Sequence, residues 1–513
     1  MRWPGRPRPV SPVAFLWIGL IAAAAAVIVV TATDPHGAGL SPDSAVYLSG
    51  AEALAHGHGF RAYGGVPLTD FPPGYPLALA AWLAVFGGAV GDAARAVNAA
   101  SVFALALLVG LVLRRYVTRT ALLAAGVVLV ASAPALLHTG VTAWSETLFS
   151  ACIMACLLFL ARALASWRMP DVALAGAWAS ACIGVRFVGA GVVVAGLVAL
   201  VAAGRSRVRG GLLKHCLVFA GLAAVIPAAW VASRLTITDS PLGVRNPPRA
   251  GLLSNAGDAA KWMGHWFVPD TFSAPLRLLG YAVAASALGA GVVLWTRSRL
   301  PARPREPARA LWLPALVAGS VVAATVVGAS LTETDRLDFR LLSPALAPAV
   351  VLIIGAADRL LDRSPGRVAV GLAALVVAAW VAASLGADAR VWRDVRKGEG
   401  YASAESRSSK LAGLLRVSAS GGQLYSNRPD EVWLLTRRDA RCPPVALGAG
   451  PCTGLSVPRD LRHGLHPPAQ LAWFRAPDVG AVPRGSGACR VSRAAALRDG
   501  VLFRVTGTGC GAA

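Results

Sequence analysis

The chain has 513 residues, long enough for three soluble domains, but 56% of it is hydrophobic and only 15% charged, a composition too apolar for a soluble globule. Lys+Arg 49 against Asp+Glu 26 gives a formal net charge of +23, which in a soluble chain would point to nucleic acid. Here the basic residues are nearly all Arg and sit in short clusters between long apolar stretches, as in the cytoplasmic loops of membrane proteins, so nucleic acid is set aside as a partner. Abundant Gly and Ala with only four Lys (Lys214, Lys261, Lys397, Lys410) is the usage expected of a high-G+C bacterium.

A membrane span needs roughly 20 apolar residues, because a helix rises about 1.5 Å per residue through a hydrocarbon core about 30 Å thick. Eleven such stretches are predicted, near 13–33, 93–113, 120–138, 143–165, 171–186, 188–204, 213–233, 276–296, 311–331, 341–358 and 368–386. With Arg2, Arg6 and Arg8 placed in the cytoplasm, the clusters Arg114/Arg115/Arg119, Arg162/Arg168, Arg205/Arg207/Arg209, Arg297/Arg299/Arg303/Arg305/Arg309 and Arg359/Arg363/Arg367 all fall on the same side, satisfying the positive-inside rule. The first apolar run ends in Thr31-Ala32-Thr33, a poor cleavage site, and is read as an uncleaved span. Pro76–Val90 is apolar but too short to cross. Counting it as a span would put every later Arg cluster outside, so it is predicted to be a helix lying at the outer surface.

The fold class predicted is an all-α polytopic bundle of about eleven spans with outer-surface helices, residues 1–386, followed by a small α/β extracytoplasmic domain, residues 387–513. The first outer loop, 34–92, is the richest in polar groups: Ser41 is placed to cap a short helix carrying Asp43, Tyr47 and Glu52, and Gly57–Gly59 to end it. In the tail, Gln423–Ser426 reads as a strand and Pro429–Thr436 as a helix. Cys152, Cys156, Cys182 and Cys216 lie in spans as small hydrophobes. Cys442, Cys452, Cys489 and Cys510 lie in the tail, where neighbour pairing, Cys442–Cys452 with Cys489–Cys510, is the simplest of the three possible connectivities. Their spacing lacks the C-x-x-C pairs of a zinc site.

Several segments, in this order, resemble one family, the membrane glycosyltransferases of the C-type superfamily, in particular the protein O-mannosyltransferase and aminoarabinose-transferase-like group. They are Asp43 with Tyr47 after the first span, followed by Ala-x-x-Leu-x-x-Gly; Phe71-Pro72-Pro73-Gly74-Tyr75-Pro76-Leu77 before a stretch ending in Phe86-Gly87; Ser145-Glu146-Thr147-Leu148 opening a span; and Arg340-Leu341-Leu342-Ser343-Pro344 entering the tenth. Leu424 to Trp433 looks like the opening of the family's outer domain. The resemblance implies transfer of a sugar from a polyprenyl-phosphate carrier to an acceptor hydroxyl of an envelope glycan, lipid or protein, on the outer face of the cytoplasmic membrane and with inversion at the anomeric carbon.

The residues suit that chemistry. An acceptor hydroxyl needs a carboxylate to take its proton, and Asp43 is the predicted base. The departing lipid phosphate gains charge that guanidinium groups stabilise in a partly dry site; Arg340, with Arg336 nearby, is the first choice and Arg186 the second. Tyr47, Asp70 and Glu146 complete the predicted substrate-binding set, although Asp70 also suits holding the Pro-Pro turn and Glu146 capping its helix. Arg245, Arg249, Lys261 and His265 read as a solvated loop, and His56 and His58 as turn residues. Many relatives carry two adjacent acids where this chain has Asp43-Ser44. A hard cation wants several oxygen ligands, so no essential metal and no cofactor is expected, with a divalent cation as the alternative. The alternatives are a lipid or glycan transporter and a noncatalytic envelope-assembly protein of the same fold; transporters carry ionisable residues or broken helices near the midplane and repeat their topology in halves, features not evident in this sequence.

Overall fold

The computed structural model describes residues 12–204, 209–237, 247–267, 275, 311–332, 336–363, 367–418, 422–443, 468–474 and 490–506. In lipid every backbone polar group must be satisfied within its own segment, and the Ala-, Leu- and Val-rich runs do this as helices. In chain order these are α1 (Pro12–Ala32), α2 (Pro42–Ala55), α3 (Gly74–Phe86), α4 (Val90–Tyr116), α5 (Thr120–Ala131), α6 (Pro134–Val141), α7 (Glu146–Ser166), α8 (Met169–Val185), α9 (Ala190–Gly204), α10 (Arg209–Ala223), α11 (Val225–Leu235) and α12 (Leu252–His265), then helices Trp312–Leu331, Leu346–Arg363 and Arg367–Val395.

Among the described residues six helices are long and apolar enough to cross a membrane, or eight if each of two bent pairs is one span. The protein is a multi-pass membrane protein. The six correspond to the predicted stretches at 13–33, 93–113, 143–165, 188–204, 311–331 and 341–358. The stretch at 120–138 is instead the pair α5 and α6, bent by 46°, and 213–233 is α10 and α11, bent by 43°. Proline accounts for both breaks: Pro134 opens α6 and Pro227 sits in the first turn of α11, where the ring removes a hydrogen bond and clashes with the preceding turn. The stretch at 171–186 forms a shorter apolar helix, α8. The stretch at 368–386 lies within the helix Arg367–Val395, which is not among the candidate spans. The stretch at 276–296 lies outside the described residues, so eleven crossings are not established.

The core runs along the seam of α4, α7 and α8, where Val109, Leu113, Ile153, Met154, Leu157, Ala175 and Ala179 are buried. Leu16, Trp17, Leu20 and Val27 of α1 are exposed, an apolar face suited to lipid. Between α1 and α4 the chain folds back on one end of the bundle as the short helices α2 and α3. Gly74 allows α3 to approach the end of α8: a Cβ on it would lie 2.6 Å from the Gly184 carbonyl oxygen.

The tail forms a four-stranded sheet of order β1-β2-β4-β3, with β1 (Gln423–Ser426) parallel to β2 (Ala469–Phe474) and antiparallel pairing of β4 (Gly500–Thr506) to β2 and to β3 (Arg490–Ala496). Side chains alternate across it. Leu424, Ala472, Phe474 and Leu502 pack with Leu411, Leu415 and Val432 of the helices Lys410–Val417 and Pro429–Thr436, while Tyr425, Leu471, Trp473, Val501 and Phe503 form a second cluster. The predicted strand Gln423–Ser426 and helix Pro429–Thr436 are both present. Cys152, Cys156, Cys182 and Cys216 are free. Cys442 is disulfide-bonded; Cys452, Cys489 and Cys510 lie outside the described residues.

Candidate active site

Four charged side chains meet at the end of the bundle that carries α2 and α3. Asp43 stands in the first turn of α2, whose start is held by the cap Ser41, accepting from the Ser44 backbone N–H while Ser44 Oγ accepts from Ser41 N–H. Glu146 opens α7 and is buried; an acid there faces the positive end of the helix dipole. Arg186 follows α8 directly, in extended backbone. Arg340 lies in the short helical turn Phe339–Leu342, capped by Asp338 Oδ1 accepting from Leu341 N–H at 3.1 Å.

Arg340 Nη1 donates to Asp43 Oδ2 at 2.7 Å, and its Nε is 3.5 Å from Glu146 Oε1. Arg186 Nη1 donates to the same Glu146 Oε1 at 2.6 Å and to Ser145 Oγ at 3.1 Å. Two acids and two guanidinium groups thus alternate, Asp43–Arg340–Glu146–Arg186. Among the described residues only Oδ2 of Asp43 takes a hydrogen bond, and Glu146 Oε2 is shielded from solvent with no hydrogen-bond partner. The Arg340 guanidinium also lies over the Trp144 ring, 4.7 Å from its centroid, and the Trp144 indole N–H donates to Ser41 Oγ at 2.7 Å.

The Tyr47 hydroxyl shares a 3.1 Å hydrogen bond with Ser145 Oγ, joining α2 to the Arg186 side of the cluster. Burial pushes its phenol pKa up, so it serves in hydrogen bonding, not as a base. Phe71 and Tyr75 of the Phe-Pro-Pro-Gly-Tyr element pack on Tyr47 with ring centroids at 4.8 and 5.1 Å. The Tyr75 hydroxyl donates to Asn98 Oδ1 at 2.9 Å, and Asn98 Nδ2 to the Thr142 carbonyl at 2.6 Å. That element therefore wedges α2 against α4 and the α6–α7 turn.

The structure thus brings together Asp43, Tyr47, Glu146, Arg186 and Arg340 of the predicted set. Asp70 lies one residue before Phe71, half-buried, with Oδ1 shielded from solvent. Arg336 is placed elsewhere: it is largely exposed and grips Asp258 of α12 through Nε and Nη2 at 2.9 and 3.1 Å. His56 and His58 are exposed in the turn after α2. Lys261 and His265 lie on α12, within a stretch expected to be a solvated loop; Arg249 precedes it and Arg245 lies outside the described residues. Sequence reasoning passed over Trp144, Asn98 and His138 and gave Ser145 no role beyond its place in the Ser145-Glu146-Thr147-Leu148 segment. Trp144 directly precedes that segment, which was the available signal.

Among the described residues no group of three or more His, Cys, Asp or Glu side chains converges as a metal site.

Residues 70–230 match the dolichyl-phosphate-mannose-protein mannosyltransferase family. Over nearly the whole chain the fold is similar to ArnT from Cupriavidus metallidurans. The apo structure gives a TM-score of 0.58 at 14% identity, covering 96% of this chain and 98% of that one. The chain has the C-type glycosyltransferase fold. ArnT bound to undecaprenyl phosphate gives 0.57 at 13% identity, covering 97% and 99%. Archaeal oligosaccharyltransferase AglB from Archaeoglobus fulgidus, in complex with an inhibitory peptide and a dolichol-phosphate, gives 0.50 at 13% identity, covering 84% of this chain and 65% of AglB. No curated protein matches the chain. The C-type fold and the family match agree with the resemblance carried by the Asp43, Phe-Pro-Pro-Gly-Tyr, Glu146 and Arg340 segments.

Proposed function

We propose that the protein is a glycosyltransferase that moves a sugar from a polyprenyl-phosphate carrier to an acceptor hydroxyl of an envelope glycan, lipid or protein, with inversion, at the outer face of the cytoplasmic membrane. The observation that carries the reading is the Asp43–Arg340 pair at 2.7 Å, a base and a phosphate-binding cation side by side at one end of a membrane bundle. The undecaprenyl phosphate of the ArnT structure and the dolichol-phosphate of the AglB structure support a lipid monophosphate as the donor's leaving group.

Asp43 Oδ1, which takes no hydrogen bond among the described residues, receives the acceptor's proton as the acceptor oxygen bonds to the anomeric carbon. The bond from that carbon to the carrier phosphate breaks on the opposite side, which inverts the centre. The departing phosphate's charge falls to Arg340 and to Arg186. Glu146 keeps both guanidinium groups in place, and its Oε2 is suited to accept a sugar hydroxyl. Tyr47 steadies Ser145 and Arg186, and Asp70 is assigned to acceptor contact.

Thin-layer analysis of membranes given radiolabelled polyprenyl-phosphate sugars, with and without the protein, tests the reaction; absence of any protein-dependent transfer from every such donor rules it out. Orientation has its own test. A periplasm-active reporter fused after Ala513 is expected to be active and one at Arg303 silent, and the reverse pattern would place Asp43 on the cytoplasmic side.

A further inference from the structure

The helix Arg367–Val395 is followed by a short strap, Glu399–Tyr401, that returns to the site. Its backbone is zipped to the segment leading into α2: Leu40 N–H donates to the Glu399 carbonyl at 3.2 Å and Tyr401 N–H to the Leu40 carbonyl at 2.9 Å. On its other side that segment is tied to the α6–α7 turn, with Gly39 N–H donating to the Val141 carbonyl and Ala143 N–H to the Gly39 carbonyl, both at 2.9 Å. Gly400 has a positive φ of 59°, and a Cβ there would strike the Leu40 carbonyl oxygen, so only glycine brings the strap this close.

The strap's carboxylate reaches further. Glu399 Oε1 is hydrogen-bonded to Nε2 of His138 on α6. The His138 ring stacks on Phe339, 4.9 Å between centroids and 18° between planes, and lies 5.8 Å from Trp144. Phe339 is the neighbour of Arg340 in the chain, and Trp144 is the ring over which the Arg340 guanidinium lies. Two consecutive residues, Phe339 and Arg340, therefore rest on two rings that flank one another, and the ring nearer the strap is held by Glu399. The plane of Arg340 is set by the Trp144 face together with the two acids, Asp43 on Nη1 and Glu146 beside Nε.

We infer that Glu399, acting through the His138 ring, is a positioning residue that sets Arg340 for the donor phosphate; this rests on the reading of Arg340 as the phosphate-binding cation. The strap also touches the sheet domain, because the Tyr401 hydroxyl donates to Asp430 Oδ2 at 2.8 Å. Seating of that domain is thereby linked to the phosphate site.

The test is binding of undecaprenyl phosphate to the purified full chain, as a cycle over Glu399→Ala, Arg340→Ala and the double variant. Glu399→Ala is expected to weaken binding by about tenfold when Arg340 is present and to change nothing when it is absent, because residues acting through one another are not additive. Glu399→Gln still accepts a hydrogen bond from His138 and is expected to recover most of the affinity. His138→Phe, which keeps the stack but loses the link, gives the same cycle should Glu399→Ala fail to fold. Unchanged binding in Glu399→Ala, or an equal loss with and without Arg340, overturns the inference. A flat response in every protein, the unaltered chain included, overturns the phosphate reading itself and this inference with it.

Discussion

Acid–arginine pairs occur along this bundle in two very different settings. Asp358 of the helix Leu346–Arg363 accepts from Thr118 N–H at 2.8 Å, from Thr118 Oγ1 at 2.9 Å and from Arg119 Nη1 at 2.9 Å. Both its oxygens are occupied, and Arg119 donates to its backbone carbonyl as well. Asp43 uses one oxygen on Arg340, and Arg340 is divided between Asp43 and Glu146. A closed pair such as Asp358–Arg119 locks one helix to the distant turn between α4 and α5. An open one retains an acceptor, here Asp43 Oδ1, that a substrate can take up, at a cost that a function explains.

The sharpest way to break this contrast is to neutralise both acids. Asp43→Asn keeps size and a hydrogen-bonding oxygen but removes basicity, so turnover per folded molecule is expected to fall by roughly 10²–10⁴-fold with binding of the lipid donor retained. A variant within a few-fold of the unaltered protein would move the proton-accepting role to Asp70 or Glu146. Next in size, Arg340→Ala is expected to raise donor KM by about one to two orders of magnitude, and Arg340→Lys to recover only part of it, since an ammonium lacks the planar fork. Unchanged donor kinetics in Arg340→Ala would shift the phosphate to Arg186. Asp358→Asn is expected to act oppositely: thermal unfolding moves to lower temperature, because Arg119 and Thr118 lose a charged partner, while turnover of the folded fraction stays within about twofold. A loss of turnover at constant stability would show that this pair is not merely structural.

Much of the site was legible because its members stand where elements begin or end. Ser41 three residues before Ser44 signals a helix start, Glu146 opens an apolar run, and Arg186 and Arg340 interrupt apolar sequence where charge is costly. Their meeting was not legible from spacing, since Asp43 and Arg340 are 297 positions apart; the resemblance to a family supplied it. His138 and Glu399 gave no signal, because a single His in an apolar run and a single Glu in a polar linker take meaning only from the fold that joins them. The bends were readable in principle from Pro134 and Pro227, each inside a predicted span. Helix α12 was also readable, since Asn255, Ala259 and Trp262, at helical spacing, form its packed side, but the charged residues around them made it look like a loop.

The smallest effect separates two arginines that sequence placed together. Arg336 and Arg340 are four residues apart, but Arg340 is shielded between two acids while Arg336 projects into solvent with 80% of its side chain exposed, held by Asp258. Charge screening makes such an exposed pair weak. Arg336→Ala is therefore expected to leave donor KM within about threefold of the unaltered protein and thermal stability nearly unchanged. A loss as large as that of Arg340→Ala would mean that Arg336 leaves Asp258 to meet the donor. In that case Asp258→Asn, by releasing Arg336, would tighten donor binding; an unaltered Kd in Asp258→Asn, together with a near-normal KM in Arg336→Ala, confines the phosphate-binding role to the shielded cluster of Arg340 and Arg186.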